Sequence, residues 1–191
     1  MNEKELLKGV QAGDEQAFRK LVEQFQVMVV NTCKGFVYQL HDAEDLAQEV
    51  FIEVFHSSTK FRGDAKLSTW IYRIAVNKSL NFIRDNKRRT FIQSIGNSVF
   101  GSKSLDIPAN DVTDRPDLEA ENNQRRENLY RAINELPERQ RVAFSLSKFD
   151  DLSYREIADV MELSVASVES LIHRAKLNLQ KKLYQCYKKG L

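Results

Sequence analysis

Apolar positions recur at three- and four-residue steps along most of this chain, the pattern of helices that each bury one face. After Gly13, Asp14 is placed to cap a helix on which Phe18, Leu21, Val22, Phe25 and Met28 form a stripe. Asp42 reads as the cap of the next helix, with Ala43, Leu46, Ala47, Val50 and Val54 along one face. At ~100° per residue, Asp42, Asp45, Glu49 and Glu53 gather on a second face of the same helix. Ile52 and Phe55 fall off the apolar stripe, and apolar residues beside an acidic stripe point to a protein contact. Gly63 and Asp64 predict a loop, followed by a long helix from about Ser68 to Arg89. Leu67, Ile71, Ile74, Ala75 and Phe82 share one side of it, and Trp70, Arg73, Asn77, Arg84 and Arg88 share another.

The pattern fails over residues 93–118, which hold Pro108, Pro116, Gly96, Gly101 and four aspartates among clustered Ser and Asn. Such a stretch without an apolar period predicts a linker, and divides the chain into 1–92, 93–118 and 119–191. The last part is expected to open with a helix to about Glu135. Pro137 then leads a helix through about Phe149 as its first-turn residue. Ser153-Tyr154-Arg155-Glu156 has the form of a capping box, and Ser164 is placed to cap the longest helix. From Tyr154 to His173 the residues fit a helix-turn-helix. Ile157 and Met161 point inward, Ala158 permits a close crossing, Leu163 fills the turn, and Val168 and Leu171 anchor the second helix. Glu162 stands where such turns often carry glycine. On the second helix Val165, Val168, Ile172, Ala175, Leu179 and Leu183 form the expected buried stripe. Ala166, Glu169, Ser170, His173, Arg174 and Lys181 lie opposite.

Composition narrows this to an all-α protein of two small helical domains. Only 7 Gly and 3 Pro among 191 residues argue against a turn-rich β fold. No apolar run approaches the ~18 residues of a membrane span. Met1-Asn2-Glu3-Lys4-Glu5 lacks the basic-then-apolar order of a secretory signal, so a cytoplasmic location is expected. Cys33 and Cys186 form no CxxC pair, which implies neither a zinc site nor a disulfide framework; Cys33 reads as a small core residue.

Charge adds partners to the picture. The net +2 conceals sorted blocks: −5 over residues 40–55, +7 over 60–90 and +5 over 168–191. Two basic blocks suit a polyanion contacted twice, and the acidic block suits a basic partner. Trp70, the one tryptophan, has two readings: a core residue with snorkelling arginines, or a stacking surface framed by cations for unstacked bases. The face opposite the last helix's buried stripe combines small residues, hydrogen-bonding groups and cations, as a major-groove reader requires.

Taken together, these segments resemble an extracytoplasmic-function sigma factor of the bacterial sigma-70 family. The resemblance rests on Asp42-Ala43-Glu44-Asp45-Leu46-Ala47-Gln48-Glu49-Val50-Phe51, Phe61-Arg62-Gly63-Asp64, and Ser68-Thr69-Trp70-Ile71-Tyr72-Arg73-Ile74-Ala75-Val76-Asn77. In the second part it rests on Leu136-Pro137-Glu138-Arg139-Gln140-Arg141 and Leu152-Ser153-Tyr154-Arg155-Glu156-Ile157-Ala158. It implies a non-enzymatic factor without cofactor that binds core RNA polymerase, through the β′ clamp helices and the β flap, and promoter DNA. It implies an anti-sigma factor as a further partner, and no membrane insertion. Asp42, Asp45, Gln48, Glu49, Ile52 and Phe55 would meet the polymerase. Lys66, Trp70, Arg73 and Asn77 would capture a flipped base of the −10 element, with Arg84, Lys87 and Arg88 on phosphates. Ser167, Glu169, Ser170, His173 and Arg174 would read the −35 element, with Lys176 at the backbone. Relatives often carry a basic residue where Glu169 stands and sometimes where Leu171 stands, a departure that bears on the preferred −35 sequence.

Two rival readings explain less. A stand-alone DNA-binding regulator accounts for residues 154–173 but gives the acidic helix and the Trp70 frame no role. A di-iron enzyme would need the Glu-x-x-His form twice with two further glutamates, and Glu53-Val54-Phe55-His56 supplies it once. His56 then reads as an exposed helix-end residue.

Overall fold

The computed structural model describes the backbone of residues 3–97 and 116–189, and among these the side chains outside 90–122, 185–187 and 189. All described regular structure is helical: α1 (Glu3–Gln11), α2 (Glu15–Lys34), α3 (Leu40–Ser57), α4 (Leu67–Asn97), α5 (Pro116–Asn134), α6 (Glu138–Lys148), α7 (Tyr154–Met161) and α8 (Val165–Lys189). One turn of tighter helix, Ser58–Lys60, follows α3. The middle of the expected linker lies outside the described residues. Its two ends are helical, because α4 runs on to Asn97 and α5 begins at Pro116, where proline suits a first turn.

Helix starts follow local chemistry. The Asp14 carboxylate accepts hydrogen bonds from the backbone N–H groups of Gln16 (2.8 Å) and Ala17 (3.3 Å), satisfying two donors that the first turn of α2 cannot pair. Asp14→Ala is expected to lower the free energy of unfolding in urea by about 1 kcal/mol, with fluorescence and helicity reporting the same midpoint. The expected cap at Asp42 is corrected. The helix α3 already starts at Leu40 behind Gln39, which makes no side-chain cap bond, and Asp42 sits inside the first turn. There its charge favours the positive end of the helix without capping it. Pro137 occupies the cap position of α6 and not its first turn. At α7 the capping box is complete: Ser153 Oγ accepts from Glu156 N–H (3.3 Å), and the Glu156 carboxylate accepts from Ser153 N–H (2.9 Å). The Ser153 hydroxyl, which donates to the same carboxylate (2.6 Å), and then the Ser153 N–H hold the Glu156 carboxyl below its ordinary range.

Helices α1 to α4 close around one core that includes Leu6, Leu21, Val29, Cys33, Leu46, Val50, Val54, Leu67 and Ile71. Burial pushes the Cys33 thiol up to about 11, so it sits there as a neutral, inert apolar group. In the C-terminal half, Ala132, Ile133 and Leu136 pack on Ala175 and Leu179 of α8. The buried Arg141 donates from Nη1 to the Asn134 carbonyl (3.1 Å), tying α6 to the end of α5.

A third core belongs to both halves. Phe36, Val76, Leu80 and Ile83 pack with Val142, Ala143, Leu146, Ile157, Ala158, Val160, Val168 and Ile172. Thus the helix-turn-helix core is continuous with the middle of α4.

Candidate functional site

The acidic helix presents the expected face. Asp45, Gln48 and Glu49 are exposed on α3, and Asp42 is half-exposed. Ile52 and Phe55 stand beside them at 56% and 38% exposure, although six other apolar positions of the helix are buried. Phe55 is held edge-on to Phe18 at 5.1 Å between ring centroids, which fixes its outward pose. His41 lies 3.4 Å from Asp45 and both remain exposed. The result is an apolar pair on a negative surface, a chemistry that fits a basic protein partner. His56 is exposed at the end of α3, and no cluster of three or more potential metal ligands exists among the described residues.

The start of α4 forms a cleft of about 310 Å³ lined by Lys60, Phe61, Arg62, Asp64, Ala65, Trp70 and Arg73. Gly63, in the loop that supplies Arg62 and Asp64 to this lining, takes φ +81°. Trp70 is half-buried, with its ring tilted at 4.8 Å from Phe61 and its body against the N-terminal core. Trp70 therefore packs against the core with one side, and another side of it borders the cleft. An aromatic wall with Lys60, Arg62 and Arg73 around it can hold an unstacked base and its phosphates. Lys66 is exposed just before α4, its carbonyl accepting from Trp70 N–H (3.1 Å). Asn77 is exposed and borders a second cleft, shared with Arg139, Met161 and Leu163.

Arg73 does not face solvent as a free cation. Its Nη1 lies 2.8 Å from Glu162 Oε1, and its Nη2 donates to the Asp159 carbonyl at 2.7 Å. Lys87 likewise donates to the Asn134 carbonyl at 3.0 Å. Arg84 donates to Asn81 on its own helix (2.9 Å), and Arg88 is exposed. So all the predicted −10 residues but Lys66 share one helix, and Arg73 and Lys87 among them are engaged by the other half.

On α8, Glu169, His173, Arg174 and Lys176 are exposed, and Ser170 is half-buried. Ser167 is exposed, but its N–H donates to Ser164 Oγ (3.2 Å) and its hydroxyl lies 2.8 Å from that oxygen, so it shares in the cap. Val165 departs from the expected buried stripe. It is 46% exposed, because the first residue of α8 projects beyond the core that Val168 reaches one turn later. Glu162 closes α7 in the left-handed conformation, φ 54° and ψ 47°, as the glycine-like turn position demands.

Residues that the periodicity did not single out are Val76, Leu80 and Ile83, with Phe36. The first three recur at steps of four and three along α4, so their signal was present as a second stripe.

A model of Sigma-70 region 2 matches residues 21–89, and a model of Sigma-70 region 4 matches residues 126–179. The chain is 33% identical to the RNA polymerase sigma-H factor of Pseudomonas aeruginosa, over 95% of this chain and 93% of that one. It is 34% identical to the ECF RNA polymerase sigma-E factor of Escherichia coli K12, over 93% of this chain and 92% of that one. Among solved structures, the sigma factor RpoE of Bartonella quintana, crystallised with the anti-sigma factor NepR, superposes with a TM-score of 0.56 at 20% identity. That match covers 87% of this chain and 96% of RpoE. It shows a shared fold.

Proposed function

Given that the chain belongs to the sigma-70 family, in its extracytoplasmic-function group, we propose a division of labour among the three faces described above. The protein is not an enzyme; it directs core RNA polymerase to promoters. Within that activity, the α3 face from Asp42 to Phe55 docks on the polymerase. The cleft at the start of α4 takes a base from the opened −10 element through Trp70 and Arg73, with Lys66 and Asn77 contacting it from outside the cleft and Arg84, Lys87 and Arg88 along the backbone. The α8 face, Ser167 to Lys176, reads the −35 duplex. We assign residues 1–92 to the first two tasks, 119–191 to the third, and 93–118 to the connection between them. The complex of RpoE with an anti-sigma factor supports a partner of that class here. No helix of the described residues is long and apolar enough to cross a membrane, and a cytoplasmic site of action fits that.

The observation that carries the −10 assignment is the cleft itself, where Trp70 and Phe61 offer π-faces among Lys60, Arg62 and Arg73. Capture of a flipped base offsets a few kcal/mol of unstacking without nucleotide hydrolysis. Two DNA modules on one chain also raise each other's effective concentration, so modest contacts sum to a specific complex.

Trp70 is the chain's one tryptophan and serves as its own reporter. Random-sequence single-stranded decamers are expected to quench its fluorescence, because stacking tolerates any base, and the same decamers as duplex are not. Trp70→Ala, followed by anisotropy of labelled decamers, is expected to weaken single-strand binding about tenfold, within the stacking range. Equal quenching by duplex, or unchanged single-strand affinity in Trp70→Ala, would overturn the assignment.

A further inference from the structure

We propose that Glu169 selects a cytosine in the −35 element, its carboxylate accepting a hydrogen bond from the cytosine N4 amino group in the major groove. The proposal deepens the −35 reading of α8 given above and rests on it.

Glu169 has none of the usual occupations of a surface acid. It is the one acidic residue among the 25 of α8, which otherwise carries six lysines and arginines. Carboxylates on a helix surface commonly pair with a lysine or arginine three or four residues away. Those positions here are Val165, Ala166, Ile172 and His173, so no such partner stands within helical reach. Glu169 is exposed, and its carboxylate makes no ion pair or hydrogen bond among the described residues. Against a polyanion a merely solvated acid would only weaken the contact that the six cations favour.

Its place in the helix is where a base is met. A recognition helix touches base edges with its N-terminal residues. Val165 and Ala166 carry no hydrogen-bonding side chain, Ser167 is engaged with Ser164 in the cap, and Val168 is fully buried. Glu169 is therefore the first polar side chain of α8 that is free to reach a base. At ~100° per residue, Arg174 falls about 140° round the helix, too far to neutralise the carboxylate.

The chemistry then chooses among the bases. A carboxylate only accepts hydrogen bonds, and guanine and thymine present only acceptors in the major groove, apart from the thymine methyl. Adenine offers its N6 amino group beside the N7 acceptor, which repels the second carboxylate oxygen. Cytosine offers its N4 amino group with no acceptor on its own edge. Glu169 thus combines attraction to one base with repulsion from guanine and thymine on the strand it faces.

Glu169→Gln keeps the length of the side chain and changes only its chemistry. A carboxamide donates to N7 and accepts from N6, the pattern of adenine. Core RNA polymerase reconstituted with wild type, Glu169→Gln or Glu169→Ala is mixed with a random-sequence duplex library, and the DNA of heparin-resistant complexes is sequenced. With wild type, one position of the upstream element is expected to favour a C·G pair, in one orientation, at least about fivefold over the other three, as a single mismatched pair would cost. Glu169→Gln is expected to put adenine on the cytosine's strand there, and Glu169→Ala to level the position. The −10 profile should be the same for all three proteins. Unaltered base preferences, with both variants merely gaining affinity for every duplex alike, would overturn the proposal and leave Glu169 a solvated charge. A wild-type preference for an A·T pair at the position that the variants alter would overturn it too. If none of the three proteins enriches an upstream element, the −35 reading itself fails.

Discussion

Asp45→Lys combined with Glu49→Lys is expected to weaken binding to core RNA polymerase at least about 100-fold, roughly 3 kcal/mol. The two carboxylates lie one helical turn apart on the exposed face of α3, next to Ile52 and Phe55. Against a basic partner each reversal converts an attraction into a repulsion, and like charges juxtaposed at an interface cost several kcal/mol. The apolar pair would remain but would be brought up against a mismatched rim. Asp45 pairs with exposed His41, and Asp45 and Glu49 are both exposed, so the fold should tolerate both changes. Co-elution with purified core polymerase at low salt reads the effect. Circular dichroism and binding of α8 to duplex DNA serve as controls that should not move. Salt should weaken the wild-type complex more than the variant, since the lost attraction is the screened one. A double reversal that still co-elutes like wild type would remove the acidic face from the polymerase contact.

What the periodicity could supply was the identity of each buried face. The caps at Asp14, Ser153 and Ser164 were legible because a cap is a local arrangement of a side chain and the next few N–H groups. Asp42 was misplaced because a stripe gives the face of a helix but not its first residue. Leu40, the true start, lies outside the stripe and is exposed. The helix α4 shows the larger gap. Its Leu67–Ile71–Ala75 stripe meets the N-terminal core, and a second stripe of Val76, Leu80 and Ile83 meets helices some sixty residues or more further along the chain. A second stripe can be seen in sequence, but its partner is set by tertiary docking, which no local pattern carries. The same docking explains why Arg73, correctly placed on the cationic side of α4, is found on Glu162. Trp70 lay between two readings for a related reason. Half-burial at the rim of a core gives one ring both a packed side and an open one.

The second large effect concerns the pH dependence of the packing of the two halves on each other (closure), and it centres on Asp150 in the turn between α6 and α7. Its Oδ1 accepts from Thr32 Oγ1, while its Oδ2 is buried without a hydrogen-bond partner. Burial pushes the carboxyl up from its ordinary 3.8 to about 7, against the opposing hydrogen bond from Thr32 and with a further contribution from Asp151. The titratable groups facing it are Cys33 of α2, Tyr72 of α4 and the adjacent Asp151. Its charge in turn raises both the Cys33 thiol and the Tyr72 hydroxyl. No cation among these neutralises it. When the halves part, the carboxyl returns toward its ordinary value. The closed state therefore binds the extra proton, so this contribution to closure is complete below about 4 and is lost as pH rises toward about 7. Above that it is flat. The span corresponds to a contribution on the order of a few kcal/mol. Asp150→Asn keeps an oxygen for Thr32 and cannot ionise. Its amide N–H₂ faces the unpaired site at a constant cost of about 1–3 kcal/mol, which shifts the level of closure but not its slope. Scattering from pH 5 to pH 8 should show wild type expanding as pH rises and Asp150→Asn holding one radius. Every other titratable group is common to both proteins, so the difference between the two curves belongs to Asp150. Parallel curves would mean that its carboxyl ionises equally easily in the closed and open states, and that closure is governed by the apolar core and the Arg73 contact alone.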